Sequence, residues 1–282
     1  MHNDIVEPTE PVFARRRVLQ VLGGAGLLAL VGCGSKSASS SASTTAGTTS
    51  AGTTAAGTTT GSASTTASST LVDTSTAIPE ETAGPYPGDG SNGANALTQS
   101  GVVRSDIRSS FGTSTTTAPG VLTKVTFKLV AVGTGKAIPN AAVYLWHADQ
   151  QGRYSMYSSG VTNENFLRGV QVTDANGAVT FTTIFPGCYD GRWPHMHFEV
   201  FPSVDKITSS RNKIATSQLA LPEAMCKTVY ATSGYSTSVT NLAKITLKTD
   251  NVFSDGADRE TPSVSGDVTN GVNLSITAPI KV

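Results

Sequence analysis

Residues 186–201 read P-G-C-Y-D-G-R-W-P-H-M-H-F-E-V-F, and this stretch decides both the fold and the chemistry. Pro186-Gly187 and Asp190-Gly191 interrupt the chain before it. The run that follows, M-H-F-E-V-F, has the aromatic and β-branched content of a strand. A strand places residues i and i+2 on one face, so His195 and His197 project together. Two imidazoles at that spacing form a chelate for a metal ion; the plainer alternative is two histidines that pair with each other on a strand. The chain has four histidines, and His2 falls in a leader segment, so two of the other three lie here.

Working outward, short segments of strand character recur between Gly, Pro and Asn turns. They are 121–132, 141–147, 170–173, 178–184, 195–201, 216–221, 243–249 and 272–277. Asp174-Ala175-Asn176-Gly177 carries a hairpin signal between two of them. No long stretch has helical periodicity, although 222–230 suits one short helical turn. Many short strands joined by tight turns predict an all-β chain folded as a single sandwich over residues 77–282.

The other end of the chain reads differently. Ala14-Arg15-Arg16-Arg17-Val18-Leu19-Gln20 has the twin-arginine export pattern without its usual preceding Ser or Thr, and the apolar run behind it is too short to span a bilayer. It ends in Leu30-Val31-Gly32-Cys33, which resembles a lipobox and marks Cys33 for lipidation. Residues 1–33 are therefore expected to be a signal. They imply export, by the twin-arginine route, to the outer face of a bacterial membrane, with a plain signal peptide as the alternative. Residues 34–76 are almost all Ser, Thr, Gly and Ala and are expected to be a disordered linker, open to glycosylation. Removing residues 1–32 leaves 17 basic against 17 acidic residues, a balance that gives no sign of a nucleic-acid partner. Export also permits a disulfide between Cys188 and Cys226, two buried free thiols being the alternative.

Further candidate ligands lie upstream. Trp146-His147-Ala148-Asp149-Gln150-Gln151-Gly152-Arg153-Tyr154 is a strand end running into a loop that finishes on a tyrosine. Taken in order, W-x-A-D-x-x-G-x-Y and then P-G-x-Y-x-G-R-x-x-H-x-H, the chain resembles the intradiol ring-cleavage dioxygenases, the catechol and protocatechuate dioxygenases, and especially their exported relatives. Glu81 to Tyr86, Val103 to Arg108, Phe166 to Asp174 and Ser217-Gln218-Leu219 extend the likeness over about residues 79–225, leaving 226–282 unmatched.

The resemblance implies a β-sandwich and non-haem Fe(III) held by Tyr154, Tyr189, His195 and His197 with a solvent hydroxide. A hard trivalent ion favours anionic oxygen and accepts imidazole, so two phenolates and one hydroxide balance its charge. It further implies that a catechol binds the iron, that Tyr189 leaves and takes up a proton, and that O2 cuts the ring between its hydroxyls to a muconate-type diacid. Arg192 would stabilise negative charge on the ring. Gln218 would donate from behind, and Tyr86 and Trp193 would flank the substrate. The interval between Tyr189 and Arg192 holds only Asp190 and Gly191, shorter than in well-known family members, which predicts a more open pocket.

Two other readings stand beside this one. His147, His195 and His197 could hold zinc, or the sandwich could be a surface-displayed binding module without catalysis.

Overall fold

The computed structural model describes residues 73–282; the expected signal, Cys33 and nearly all of the expected linker lie outside the described residues. Among the described residues there are eight strands: β1 (Leu122–Ala131), β2 (Ala142–Trp146), β3 (Arg168–Val172), β4 (Ala178–Ile184), β5 (His195–Phe201), β6 (Ala215–Ala220), β7 (Ser263–Asp267) and β8 (Gly271–Ile280). They form two four-stranded sheets, β4-β1-β8-β7 and β3-β2-β5-β6, packed as the predicted sandwich.

The first sheet shows why alternation was legible. In β1, Thr123, Val125, Phe127 and Leu129 are buried while Lys124 and Lys128 face water. In β8, Val272, Leu274, Ile276 and Ala278 turn inward. The second sheet behaves otherwise. Every residue of β2 and β5 is buried, so both faces of these strands are covered. Met196, Phe198 and Val200 face the first sheet, with Phe198 packed 4.9 Å from Phe127. His195, His197 and Glu199 therefore point the other way, onto an outer face roofed by loops. That roofed face carries the site.

Three segments differ from expectation. Residues 243–249 alternate like a strand but close local turns instead, with Ile245 N–H bonded to the Leu242 carbonyl and Asp250 N–H to that of Thr246. The apolar Ile245 and Leu247 pack against the Trp193 cluster, so their alternation reports burial rather than pairing. Residues 174–177 make the tight turn, yet β3 and β4 belong to opposite sheets, so the chain crosses the sandwich here and no hairpin forms. Beyond residue 222 the expected helical turn is present as α1 (Glu223–Tyr230), and a second short helix that was not expected follows it, α2 (Ser236–Leu242). Cys188 and Cys226 are buried free thiols in one core cluster, not a disulfide.

The two helices and the turn between them hold the segment that leads to the site. Tyr230 donates to the Pro186 carbonyl (3.1 Å), Tyr235 to that of Phe185 (2.7 Å) and Asn241 to that of Cys188 (2.9 Å), while Ser238 accepts from Cys188 N–H (2.9 Å). These bonds satisfy buried backbone groups that no strand partner reaches.

Burial also leaves carboxyl groups in low dielectric. Glu199 and Glu260 are fully buried and each has one oxygen without a partner. Burial pushes Glu199 up to about 7, against the pull of Lys213, and Glu260 up to about 8, with Glu81 adding repulsion. Both groups keep a proton in the folded chain that the unfolded chain releases near pH 4.5. Their contribution to stability is thus complete below that pH and is lost as pH rises toward 8. Denaturant unfolding at pH 5, 6.5 and 8 should show stability falling across this window. Glu260→Gln should flatten the fall by on the order of 1 kcal/mol per pH unit near its upper end; an unchanged slope would contradict the assignment.

Candidate metal centre

Two loops deliver the tyrosines. In the first, the buried Asp149 carboxylate accepts Gln151 N–H and Arg153 N–H (both 2.9 Å) and pairs with the Arg153 guanidinium at 2.7 Å, winding the chain so that Tyr154 turns inward. In the second, Gly187 N–H bonds to the Asp149 carbonyl (2.9 Å), docking the Pro186–Tyr189 segment on the first loop. The docking is close enough to require glycine twice. A Cβ on Gly187 would run into the Gln150 carbonyl, and one on Gly152, at φ +82°, would stand 2.9 Å from Tyr189 Cβ. The glycines of D-x-x-G-x-Y and P-G-x-Y thus set the distance between the two phenols.

On the outer face of the second sheet, cross-strand pairing lines up Arg168, Trp146, His197 and Gln218 in one row over four strands. Trp146 lies flat on His197, with centroids 4.9 Å apart and planes 6° apart, and Tyr144 stacks beneath it at 4.9 Å. Arg168 is buried and donates to the carbonyls of Tyr86 (2.9 Å), Pro87 (2.8 Å) and Ser155 (2.9 Å) and to the Ser155 and Tyr144 hydroxyls. It ties the opening segment and the Tyr154 loop to the sheet.

These elements bring the four sequence-predicted ligands together. Around His195 Nε2 stand Tyr154 Oη at 3.3 Å, Tyr189 Oη at 3.1 Å and His197 Nε2 at 3.1 Å. His195 Nδ1 faces the Trp193 carbonyl at 2.5 Å, an acceptor only, so Nδ1 holds the proton and Nε2 presents a lone pair. One lone pair serves one donor, yet three polar atoms crowd it. His197 Nδ1 is buried with no partner in bonding geometry; the Thr82 backbone beside it only opposes the fall in its basicity. Burial, helped by the Arg192 charge, drops His195 to about 3, and burial with the neighbouring His195 holds His197 well below the usual imidazole range. Burial raises both phenols, Tyr154 the more strongly.

The cluster thus gathers two lone-pair nitrogens and two ionisable oxygens with no cation of its own among them. Donors about 2.1 Å from one ion and about 100° apart stand about 3.2 Å from each other. The observed spacings match that, and the N2O2 set suits a hard transition-metal ion.

Other predicted residues fall less uniformly. Gln218 is buried beside the cluster, accepting from Arg192 Nη2 (2.8 Å) and donating to the Thr82 carbonyl (2.8 Å). Tyr86 is 36% exposed and packs on Tyr154 at 5.0 Å. Trp193, expected at the substrate, is instead core: it is buried among Ala220, Val252 and Phe253 and donates to the Leu221 carbonyl. His147 spends both nitrogens on Ala148 O (2.8 Å) and Thr183 Oγ1 (2.7 Å), away from the pair. Among the described residues no group of three His, Cys, Asp or Glu is placed to hold a metal, which removes the three-histidine zinc site.

Two residues of the unmatched C-terminal region were missed. Asp250 accepts from Arg192 Nε (2.9 Å), and Phe253 packs 6.4 Å from His195 and under the Arg192 guanidinium at 5.8 Å. Asp250 lies in a polar loop 58 residues beyond Arg192, with no local pattern to mark it.

Gly152→Ala should disturb this geometry, because strained φ and the contact with Tyr189 add together. We expect a loss of about 2 kcal/mol or more. Gly191→Ala, at φ +81° with open space around it, should lose only the backbone part, about 1 kcal/mol. Equal losses in denaturant melts would mean that the loops do not press on each other.

Known proteins bear on this arrangement. The Dioxygenase_C family model, described as a dioxygenase, matches residues 106–205, a span that holds Tyr154, Tyr189, Arg192, His195 and His197. No curated protein matches the chain. Among solved structures, the chain is similar to an intradiol ring-cleavage dioxygenase from Tetranychus urticae, at 25% identity over 73% of this chain and 95% of that one, with a TM-score of 0.59. It is also similar to the crystal structure of a second dioxygenase, at 25% identity over 73% of this chain and 94% of that one, with a TM-score of 0.58. The described chain is a β-sandwich of the intradiol ring-cleavage dioxygenase type.

Proposed function

We propose that this protein is a non-haem Fe(III) intradiol dioxygenase that opens catechol-type rings with O2 to muconate-type diacids. The observation that carries the reading is the convergence of Tyr154, Tyr189, His195 and His197 on one point, with Arg192 and Gln218 joined beside it. These four residues would hold the iron. When bound, it would supply Lewis acidity that ionises phenols and a redox partner for ring and O2.

The chain's own residues would do the rest. Tyr154 is fully buried and tied into its loop, so it would be the permanent phenolate. Tyr189 is half-buried and would be the one that yields its place and takes up a substrate proton. Trp146 and the Trp193 carbonyl would keep the imidazole rings from turning. Arg192, fixed by Gln218 and Asp250, would present guanidinium N–H groups to negative charge growing on the ring. Tyr86 would give the ring an aromatic wall. The balance closes without another reactant: catechol and O2 together contain every atom of the diacid.

On sequence grounds we place this chemistry outside the cell, with export directed by residues 1–33 and lipid anchoring at Cys33.

Purified protein should carry about one iron per chain and a broad visible band from tyrosinate. Tyr154→Phe or His195→Ala should abolish the band. Product analysis should find the diacid cut between the hydroxyls; a yellow semialdehyde, cut beside them, would overturn the proposal. Arg192→Ala should slow turnover on the order of a hundredfold while the colour change on adding catechol survives. Loss of that colour change would show that Arg192 acts in binding instead.

A further inference from the structure

The cations near the four donors are already engaged. Arg192 pairs with Asp250 at 2.9 Å, and Asp250 is fully buried. The Asp250 carboxylate also accepts Trp193 N–H (2.7 Å), Val252 N–H (2.9 Å) and Phe253 N–H (3.1 Å), so both oxygens are occupied and the group is locked as an anion. Arg168 spends its N–H groups on carbonyls and hydroxyls, which leaves no donor free for a ligand, although its charge still reaches Tyr154 and His197. Arg153 pairs with Asp149, Lys244 with Asp190, and Lys213 with both Glu199 and Asp89. Glu81, on the opening segment and within reach of the Arg192 charge, is a carboxyl that burial raises to about 7, so it adds no cation. Arg192 therefore offers N–H donors whose charge is offset in part by a buried anion at 2.9 Å. A guanidinium left alone would attract a carboxylate on an incoming ring; one partly compensated at 2.9 Å attracts it less.

We propose that Asp250 is a positioning residue that orients and partly neutralises Arg192, and that it thereby sets the site's preference for uncharged catechols over catechols bearing a ring carboxylate. This inference rests on the ring-cleavage reading above. It assigns a function to a residue that lies beyond the span matched by the family model.

The test compares catechol with 3,4-dihydroxybenzoate on the iron-loaded protein. Each is measured by kcat/KM and, without O2, by calorimetric binding. Wild type should favour catechol by on the order of tenfold or more. Asp250→Asn keeps the shape, frees the guanidinium charge and should shift the ratio toward the carboxylate by on the order of tenfold, whatever it does to the absolute rates. Asp250→Glu should keep the wild-type ratio at a lower rate. A merely structural aspartate would lower both substrates in proportion, and that result overturns the proposal. So does a wild type that binds or cleaves the carboxylate as well as catechol, a comparison that holds even if the Asn variant does not fold. If wild type cleaves catechol, the ring-cleavage reading stands whichever way the ratio falls; if neither compound is bound or cleaved, both readings fall together.

Discussion

His195 Nε2 has room for one hydrogen-bond partner and is surrounded by three. Two phenol oxygens and a second imidazole nitrogen are held within 3.3 Å of it. Crowding of this kind is unfavourable for four neutral groups, and the fold holds them together. His195 is pinned through Nδ1, His197 lies against Trp146, and the tyrosine loops are docked on each other through two glycines. A metal ion would convert the crowding into coordination, which is the sense in which the surrounding structure is preorganised.

That arrangement explains the unequal treatment of the two sheets. One sheet alternates between core and solvent. The other is buried on both faces, because its outer face carries a row of functional side chains under a roof of loops. The roof is fastened by polar groups rather than apolar ones. Arg168 gathers carbonyls from two loops, and Lys213 bridges Asp89 of the opening segment and Glu199 of β5. Buried ionic fastenings add little net stability, but removing one partner strands the other, so they specify one arrangement of the loops.

The C-terminal region takes part in the same scheme. Its helices hold the backbone that leads to Tyr189, and its last long loop supplies the counter-charge for Arg192. Under the proposed function, Arg192 would act as a fixed donor within a compensated pair, and its stabilisation of charge on a bound ring would depend on orientation more than on bulk field.

Local pattern determined a good deal. The β5 boundaries, the shared face of His195 and His197, and the strand character of β1, β4 and β8 were legible, because each depends on a repeat of two within a few residues. The four donors were legible from their order in the chain and its likeness to a family, and the structure brings those same four together. Other features depend on contacts far apart in sequence. Residues 243–249 alternate without a strand to pair with, and residues 174–177 turn without making a hairpin. Trp193 looks like a pocket residue and is core, and Cys188 and Cys226 share a cluster as free thiols. Asp250 beside Arg192 and Trp146 beneath His197 were set by cross-strand register and by a loop returning over 58 residues. A chain's local preferences fix which face a side chain points to, and only the packed fold fixes what it meets there.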